Sequence, residues 1–324
     1  MSRFPFGIPN GWFQVAYSDE LAPGELKTVR FLDEDIVLMR GEDGEFAAFK
    51  PYCPHLGAHF GGGKVVGNTL ECEFHSWQFD CSGACVKIPY TDKIPPKAEA
   101  EVWTTVERNG ILFVWRHAEG KEPFFEIPTF SQWQDPEWTN SYEKYEWTVR
   151  THPQDIMENA IDWEHFQTVH MMAAPRQRDS SFDGPMFHWS IGTEKQVQTM
   201  DDTTDTLYME AQNWGLGFDF LTYTGMFSTL ITAGLTPIDD EYTKIHFGVI
   251  GKLDGRSDAE TRELLKAYMD DQSLAIQQDF EIWEHKGYRP RPVLCDGDGP
   301  IGQFRNWAKQ FYSNYDEPGK ESAA

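Results

Sequence analysis

Two short segments carry the residues best suited to hold metal. Cys53-Pro54-His55 and Cys72-Glu73-Phe74-His75 each set one thiol beside one imidazole, with sixteen residues between the pairs. Two cysteines and two histidines can hold zinc tetrahedrally. Zinc fingers, however, group their cysteines in one knuckle and their histidines in the other. One of each per loop suits a two-iron cluster, with one iron on the cysteines and the other on the histidines, a ligation that raises the potential. Gly57 and Gly61–Gly63 let backbone approach such a group, and Trp77 and Phe79 are placed to shield it. His59 has no partner at ligand spacing and reads as a non-ligand; Cys81 and Cys85 read as ordinary thiols.

A second set lies a hundred residues on. Asp162 and His165 are three apart and share a helix face. His165 and His170 are five apart and would diverge by ~140° on an ideal helix, so both reach one metal only where the helix bulges or breaks. Alone, this pair reads equally as two ordinary polar residues. Two histidines need a carboxylate to complete a facial metal site with open positions. Between Ser257 and Lys286, Leu265, Met269, Ile276, Phe280 and Trp283 form one apolar stripe. At ~100° per residue Asp279 falls inside that stripe, while Asp270, Glu263 and Glu281 fall on the far side. A buried aspartate without a cation is costly, which argues for a metal. Glu281 is the alternative ligand.

The elements that must position these groups are of two kinds. Ile36–Arg40, Phe46–Phe49, Thr69–Glu73, Trp103–Glu107 and Ile111–Trp115 read as short strands, punctuated by turns, of which Asn109-Gly110 is a strong hairpin signal. A Pro- and Trp-rich stretch from His117 to about Asn140 marks a boundary, giving domains 1–118 and 119–324. Pro153–Met172 reads as helical and Met186–Lys252 as strands, with turns at Gly215–Gly217 and Pro237–Asp240. A long helix runs from an N-cap at Ser257 or Asp258 to about Lys286, before Pro290 and Pro292. The tail after Tyr315 is polar.

The stretch CPHLGAHFGGGKVVGNTLECEFHSWQFDCSGACVKIP resembles the Rieske [2Fe–2S] signature, with Ser76 standing where the family usually has glycine. Following it, D-x2-H-x4-H at 162–170 resembles the mononuclear iron motif of Rieske non-haem oxygenases, and Asp279-Phe280-Glu281-Ile282-Trp283-Glu284 resembles their third-ligand segment. The resemblance implies one [2Fe–2S] cluster on Cys53, His55, Cys72 and His75, and one Fe(II) on His165, His170 and Asp279. It implies an α+β fold: an all-β Rieske domain, then a catalytic domain whose curved antiparallel sheet grips helices. It also implies a homotrimer in which Asp162 bridges His165 to His75 of a neighbouring chain, although an intrachain cap is equally open for Asp162.

IPYTDKIPPKAEAEVWTTVERNGILFVW and DGPIGQFRNWAKQFY look like the oxygenase components of bacterial 3-ketosteroid 9α-hydroxylases, a group related to cholesterol 7-desaturases and sterol C-4 demethylases. The implied activity is monooxygenation of an apolar polycycle of steroid or sterol type. The alternatives are desaturation or demethylation of a sterol or of a small aromatic substrate, a Rieske electron carrier without oxygenase activity, or a zinc-stapled binding protein. Phe166, Met171, Trp214, Phe218, Phe220 and Trp283 are candidates to line an apolar pocket.

Composition bounds the partners. The 324 residues carry a net charge of −24, which repels nucleic acid and anionic lipid. No apolar run approaches the ~20 residues that span a bilayer; the longest lies near Met226–Leu235. With no secretory signal, five cysteines fit a reduced cytoplasm. No G-x-G-x-x-G or phosphate loop encodes a flavin or nicotinamide site. Electrons from NAD(P)H must therefore arrive indirectly, from a separate reductase, directly or through a ferredoxin. Lys50–Ala98 holds five lysines against four acids, a local relief from negative charge suited to docking an acidic carrier.

Overall fold

A computed structural model describes residues 3–171, 177–195, 205–224 and 227–315. Met172 at the end of the expected helical segment, Met226 and the tail after Tyr315 lie outside the described residues. The chain divides into two compact units, Trp12–Arg116 and Met1–Gly11 with His117–Ala324.

The first unit is built of β1 (Gly11–Tyr17), β2 (Leu26–Phe31), β3 (Glu34–Arg40), β4 (Phe46–Phe49), β5 (Lys64–Val66), β6 (Thr69–Glu71), β7 (Gln78–Phe79), β8 (Cys85–Lys87), β9 (Val102–Trp103), β10 (Thr105–Arg108) and β11 (Ile111–Arg116). They form three sheets, ordered β1-β11-β10, β2-β3-β4-β9 and β5-β6-β7-β8. Asn109 and Gly110 turn between β10 and β11 with φ of 55° and 71°. This is the left-handed pair that matches the twist of a two-residue hairpin. The expected strand Trp103–Glu107 is two strands in different sheets, because the chain changes sheet at Thr104. Phe13, Phe31, Phe49, Phe60, Phe79 and Phe113 are fully buried. Each such ring contributes roughly 1.5–3 kcal/mol relative to exposure.

The second unit contains α1 (Ser131–Gln134), β12 (Glu143–Val149), α2 (Pro153–Asn159), α3 (Trp163–Thr168), β13 (Gln177–Asp183), β14 (Met186–Lys195), β15 (Asp205–Trp214), β16 (Phe218–Thr224), β17 (Thr229–Pro237), β18 (Thr243–Gly251), α4 (Asp258–His285) and α5 (Ile301–Ala308). The seven strands make one antiparallel sheet, ordered β12-β18-β17-β16-β15-β14-β13. α4 crosses one face of it: Leu265 and Met269 pack with Ile231, Phe247 and Val249, flanked by the half-buried Tyr145, Trp147, Leu221, Tyr223 and Ile276. Ser257 caps α4 reciprocally with Glu260, as the sequence suggests. The fold is thus α+β, an all-β first unit and a second built on an antiparallel sheet with helices.

The N-terminal residues depart from the expected boundary, since Met1–Gly11 belongs with the second unit. The reason is aromatic. Phe4 stacks on His152 at 3.8 Å and meets Tyr288 edge-on, while Phe6 packs on Tyr288, Tyr312 and Tyr315. Among the described residues no helix is long and apolar enough to cross a membrane.

Candidate active site

In the first unit, two loops with matching frames present the Cys and His pairs. Gly57 N–H donates to Cys53 O at 3.0 Å and Cys53 N–H to Ala58 O at 2.9 Å. Ser76 N–H donates to Cys72 O at 3.0 Å and Cys72 N–H to Trp77 O at 2.9 Å. The fifth residue of each loop is left-handed, Gly57 at φ 75° and Ser76 at φ 54°. Cys53 and Cys72 are buried, whereas His55 and His75 are half-buried with rings 4.6 Å apart. Trp77 stacks on His55 at 4.3 Å and donates its indole N–H to Tyr90. Burial, reinforced by Cys72, pushes the Cys53 thiol up to about 12. Only a cation would make it the thiolate that ligates metal.

Zinc would draw all four ligand atoms within roughly 4 Å of one another, given metal–ligand bonds of ~2.0–2.3 Å. Among the described residues, three ligand atoms within 4.8 Å of one another are found at His165, His170 and Asp279, not in these loops. The wider spread fits a two-iron group. His59 Nδ1 accepts from Gly61 N–H, and its Nε2 lies 3.4 Å from Asp35 Oδ2.

In the second unit, α3 ends at Thr168 and the chain turns through Val169, reaching φ 55° at Met171. That break swings His170 back toward His165, and their rings lie 5.0 Å apart. His170 Nε2 is 3.4 Å from Asp279 Oδ2. Both Nδ1 atoms face amide oxygens, His165 the main-chain oxygen of Asp162 and His170 Gln278 Oε1 at 3.0 Å. An amide oxygen only accepts, so each Nδ1 donates its proton to that oxygen and each Nε2 is the nitrogen left for a metal. Asn159, at the end of α2, offers its amide to His165 Nε2 at 3.1 Å and to Asp279 Oδ2 at 3.2 Å. Burial lowers the His165 pKa; for His170 burial is outweighed by hydrogen bonds to Asp279 and Gln278, which raise it. Asp279 is 5% exposed within α4, and Glu281 is exposed.

Asp162 differs from expectation. Its main-chain oxygen, not its carboxylate, meets His165. The carboxylate makes no cap bond to α3, so the intrachain cap is not formed. Three-residue spacing at a helix start brings the Asp162 carbonyl to His165. Behind the site, buried Glu158 on α2 takes two hydrogen bonds from Arg305, both 2.7 Å, and buried Asp155 pairs with Lys286 at 3.1 Å. These tethers bind the helix carrying Asn159 to the chain following α4.

The candidate pocket residues divide by strand alternation. Phe218 and Phe220 pack on Phe130. On β16 they alternate with Leu221 and Tyr223, which pack toward α4, and so lie on the opposite face. Trp214 likewise alternates with Asn213, and Met171 is 83% exposed. Phe166 lies 4.2 Å from the His165 ring, and Trp283 is buried beside Phe280. Trp189, Asn213 and Asp219, which the sequence did not single out, form a hydrogen-bonded set. Asn213 Oδ1 accepts from Trp189 Nε1 at 3.2 Å, and its amide donates to Met157 Sδ at 3.1 Å and Asp219 Oδ2 at 3.4 Å. The signal was the period-two pattern of β15 and β16 rather than aromatic content.

Comparison with known proteins follows this geometry. Residues 11–108 match the Rieske [2Fe-2S] domain, and residues 114–312 match the 3-ketosteroid 9alpha-hydroxylase C-terminal domain. A 3-ketosteroid-9-alpha-monooxygenase oxygenase component from Rhodococcus rhodochrous is 29% identical, covering 97% of this chain and 86% of that one. Cholesterol 7-desaturase nvd from Bombyx mori is 30% identical, covering 97% and 72%. In fold, the chain resembles dicamba monooxygenase bound to dicamba, with a TM-score of 0.76 at 20% identity over 93% of this chain and 96% of that one. It also resembles NdmA of Pseudomonas putida CBB5 in a mutant form with theobromine, with a TM-score of 0.73 at 21% identity over 92% and 89%. With a cluster domain and a catalytic domain matched along nearly its whole length, the chain belongs to the Rieske oxygenases whose catalytic half is the 3-ketosteroid 9α-hydroxylase C-terminal domain, the O2-dependent oxygenase components that draw electrons from a separate reductase or ferredoxin.

Proposed function

We propose that this oxygenase component hydroxylates an apolar polycycle of steroid or sterol type. The balanced reaction is R–H + O2 + 2e⁻ + 2H⁺ → R–OH + H2O, with the electrons originating in NAD(P)H and passing through the reductase. The observation that carries the reading is the convergence of His165, His170 and Asp279 within 4.8 Å. The helix that carries Asp279 packs on a sheet face bearing Trp147, Leu221 and Tyr223, which supports an apolar environment for a ligand. The relatives' names, a steroid monooxygenase and a cholesterol desaturase, support a polycyclic substrate. Desaturation is the second reading, favoured by the 30% identity to the desaturase.

Cys53, His55, Cys72 and His75 hold the cluster in this reading, and His165, His170 and Asp279 hold a single Fe(II). The donor set fits: two Nε2 atoms and one buried carboxylate converge, with Asn159 donating into the same point. Iron there supplies the redox chemistry that turns O2 and two electrons into an oxidant. The Asp162 carbonyl and Gln278 fix the two imidazoles, and such partners tune ligand basicity. Phe166 packs on the His165 and His170 rings, with Trp189 behind it.

Asp162 leaves its carboxylate for His75 of a neighbouring copy in a homotrimer. Tyr52, Leu56 and Phe74, each more than half exposed around the cluster ligands, support a covered tip. Five free cysteines support a cytoplasmic location. The test is incubation with a steroid and sterol panel, a surrogate reductase and ¹⁸O2, read by mass spectrometry. One labelled oxygen in a steroid product is expected. Turnover of small aromatic acids alone would overturn the steroid reading and leave the oxygenase standing.

A further inference from the structure

A cleft of about 510 Å³ opens between the chain that follows α4 and α5, and it shares no residue with the iron site. Pockets of roughly 300–1,000 Å³ hold small organic molecules. One wall is apolar and stiff, built from Pro290, Pro292 and Leu294, with proline fixing the backbone. Tyr288 and Tyr315 add two rings, both packed on Phe6, at 5.4 Å and 4.5 Å. On α5, Gly302 leaves space, since a Cβ there would meet nothing within 4 Å. Charge sets the cleft apart. The chain carries −24, yet Arg291, Arg305 and Lys309 line this cleft and no acidic residue does. Arg305 is balanced from behind: it donates two hydrogen bonds of 2.7 Å to buried Glu158, and its guanidinium lies 4.6 Å from the Tyr288 ring centre. It is thereby a fixed part of the wall. Arg291, which is exposed, and Lys309, 5.2 Å from the Tyr315 ring centre, bring two further positive charges.

We propose that this cleft is an accessory binding site for a ring-bearing organic carboxylate, with Arg291 and Lys309 meeting the acid group and Tyr288, Pro290 and Tyr315 meeting its apolar body. A hydrocarbon would leave the two cations unused, and a bare inorganic anion would leave the rings and prolines unused. Hydrogen bonds from a cation to a carboxylate are roughly twice as strong as neutral ones, so the site distinguishes an acid from its amide. Because Arg291 and Lys309 meet solvent, each contributes modestly. Two sources offer the same chemistry, a steroid acid and a small aromatic acid, and the site stands apart from the choice of substrate at the iron.

The test is titration calorimetry of the metal-loaded enzyme with cholate and 2-naphthoate, each beside its neutral primary amide. At least one acid should bind several-fold more tightly than its amide. Arg291→Gln and Lys309→Gln should each weaken that acid about three- to fivefold and leave the amide unchanged. Gly302→Leu fills the cleft without altering a charge, and should weaken acid and amide together. Cluster absorbance and iron content should match wild type in all three variants. Either acid binding alone upholds the site and names its source. An acid preference that survives all three substitutions places the anion elsewhere and overturns the proposal. Equal binding of acid and amide, or binding of neither acid, overturns it as well.

Discussion

The two candidate metal sites are assembled in opposite ways. The cluster loops are local: four ligands fall within 23 residues, and each loop closes on itself through two main-chain hydrogen bonds. The second site is distributed. His165 and His170 come from the first turn of one short helix and the turn after it, Asp279 comes from α4, and Asn159 joins them from α2. A local site depends on the conformation of a few residues. A distributed site depends on helix packing and on ion pairs remote from the ligands.

The sharpest break of this comparison is removal of one ligand from each site. Asp279→Ala should abolish turnover and empty the mononuclear iron while the visible spectrum of the cluster stays intact. Cys53→Ser should erase that spectrum and leave the second iron bound. Metal analysis beside absorbance reads both. Normal iron content in Asp279→Ala would place the ligand elsewhere.

The next effect follows from the distributed site's tethers. Arg305→Met leaves Glu158, 7% exposed, without its bidentate partner. Unpairing a buried carboxylate costs roughly 3–5 kcal/mol. Denaturant unfolding followed by tryptophan fluorescence should show that loss in the second unit, with cluster absorbance persisting beyond it. Simultaneous loss of both signals would mean the two units unfold as one.

The same contrast explains what was legible in the sequence. Cys53, His55, Cys72 and His75 could be read from spacing because spacing is nearly all that builds the loops. The pairing of His165 with His170 required a helix break, which their five-residue separation demanded and the end of α3 at Thr168 supplies. Asp279 emerged from helical phase because α4 buries one stripe. The pocket was harder. Phe218 and Phe220 attract attention as aromatics, yet period two turns them to Phe130. Asn213 and Asp219 look like ordinary strand polars until the register places them together. The role of the Asp162 main chain was equally hidden, because a backbone oxygen has no sequence signature.

A smaller effect sharpens the electrostatic side. Burial raises Asp219 from 3.8 to about 7 in the folded chain. The folded state therefore binds its proton more tightly than the unfolded state. This contribution is fully present below pH ~4 and is lost as pH rises through about 7. Glu146 runs the other way: burial would raise it, but His246 and Lys244 outweigh that and hold it at about 2, so its contribution is lost in strong acid. Urea stability of Asp219→Asn relative to wild type should climb from pH 4 to 7 and then level. A flat difference would show that the carboxyl is solvated in the folded state.

The smallest expected effect compares the cluster loops with each other. Gly57 and Ser76 occupy equivalent left-handed positions, but only Ser76 carries a side chain. A non-glycine residue there costs about 1–2 kcal/mol in local strain. At Gly57 a Cβ would meet nothing within 4 Å, so Gly57→Ala isolates that strain and should lower the temperature of cluster loss by a few degrees. Ser76→Gly relieves the same strain. It also frees the unfolded chain at ~0.4–1 kcal/mol and gives up the hydrogen bond that Ser76 lends Glu71, whose carboxylate Gln78 already holds below its ordinary range. The opposing terms nearly cancel, so Ser76→Gly should move the transition far less than Gly57→Ala. Cluster absorbance during heating measures both. A large loss in Ser76→Gly would show that the hydroxyl, rather than the backbone angle, maintains the second loop.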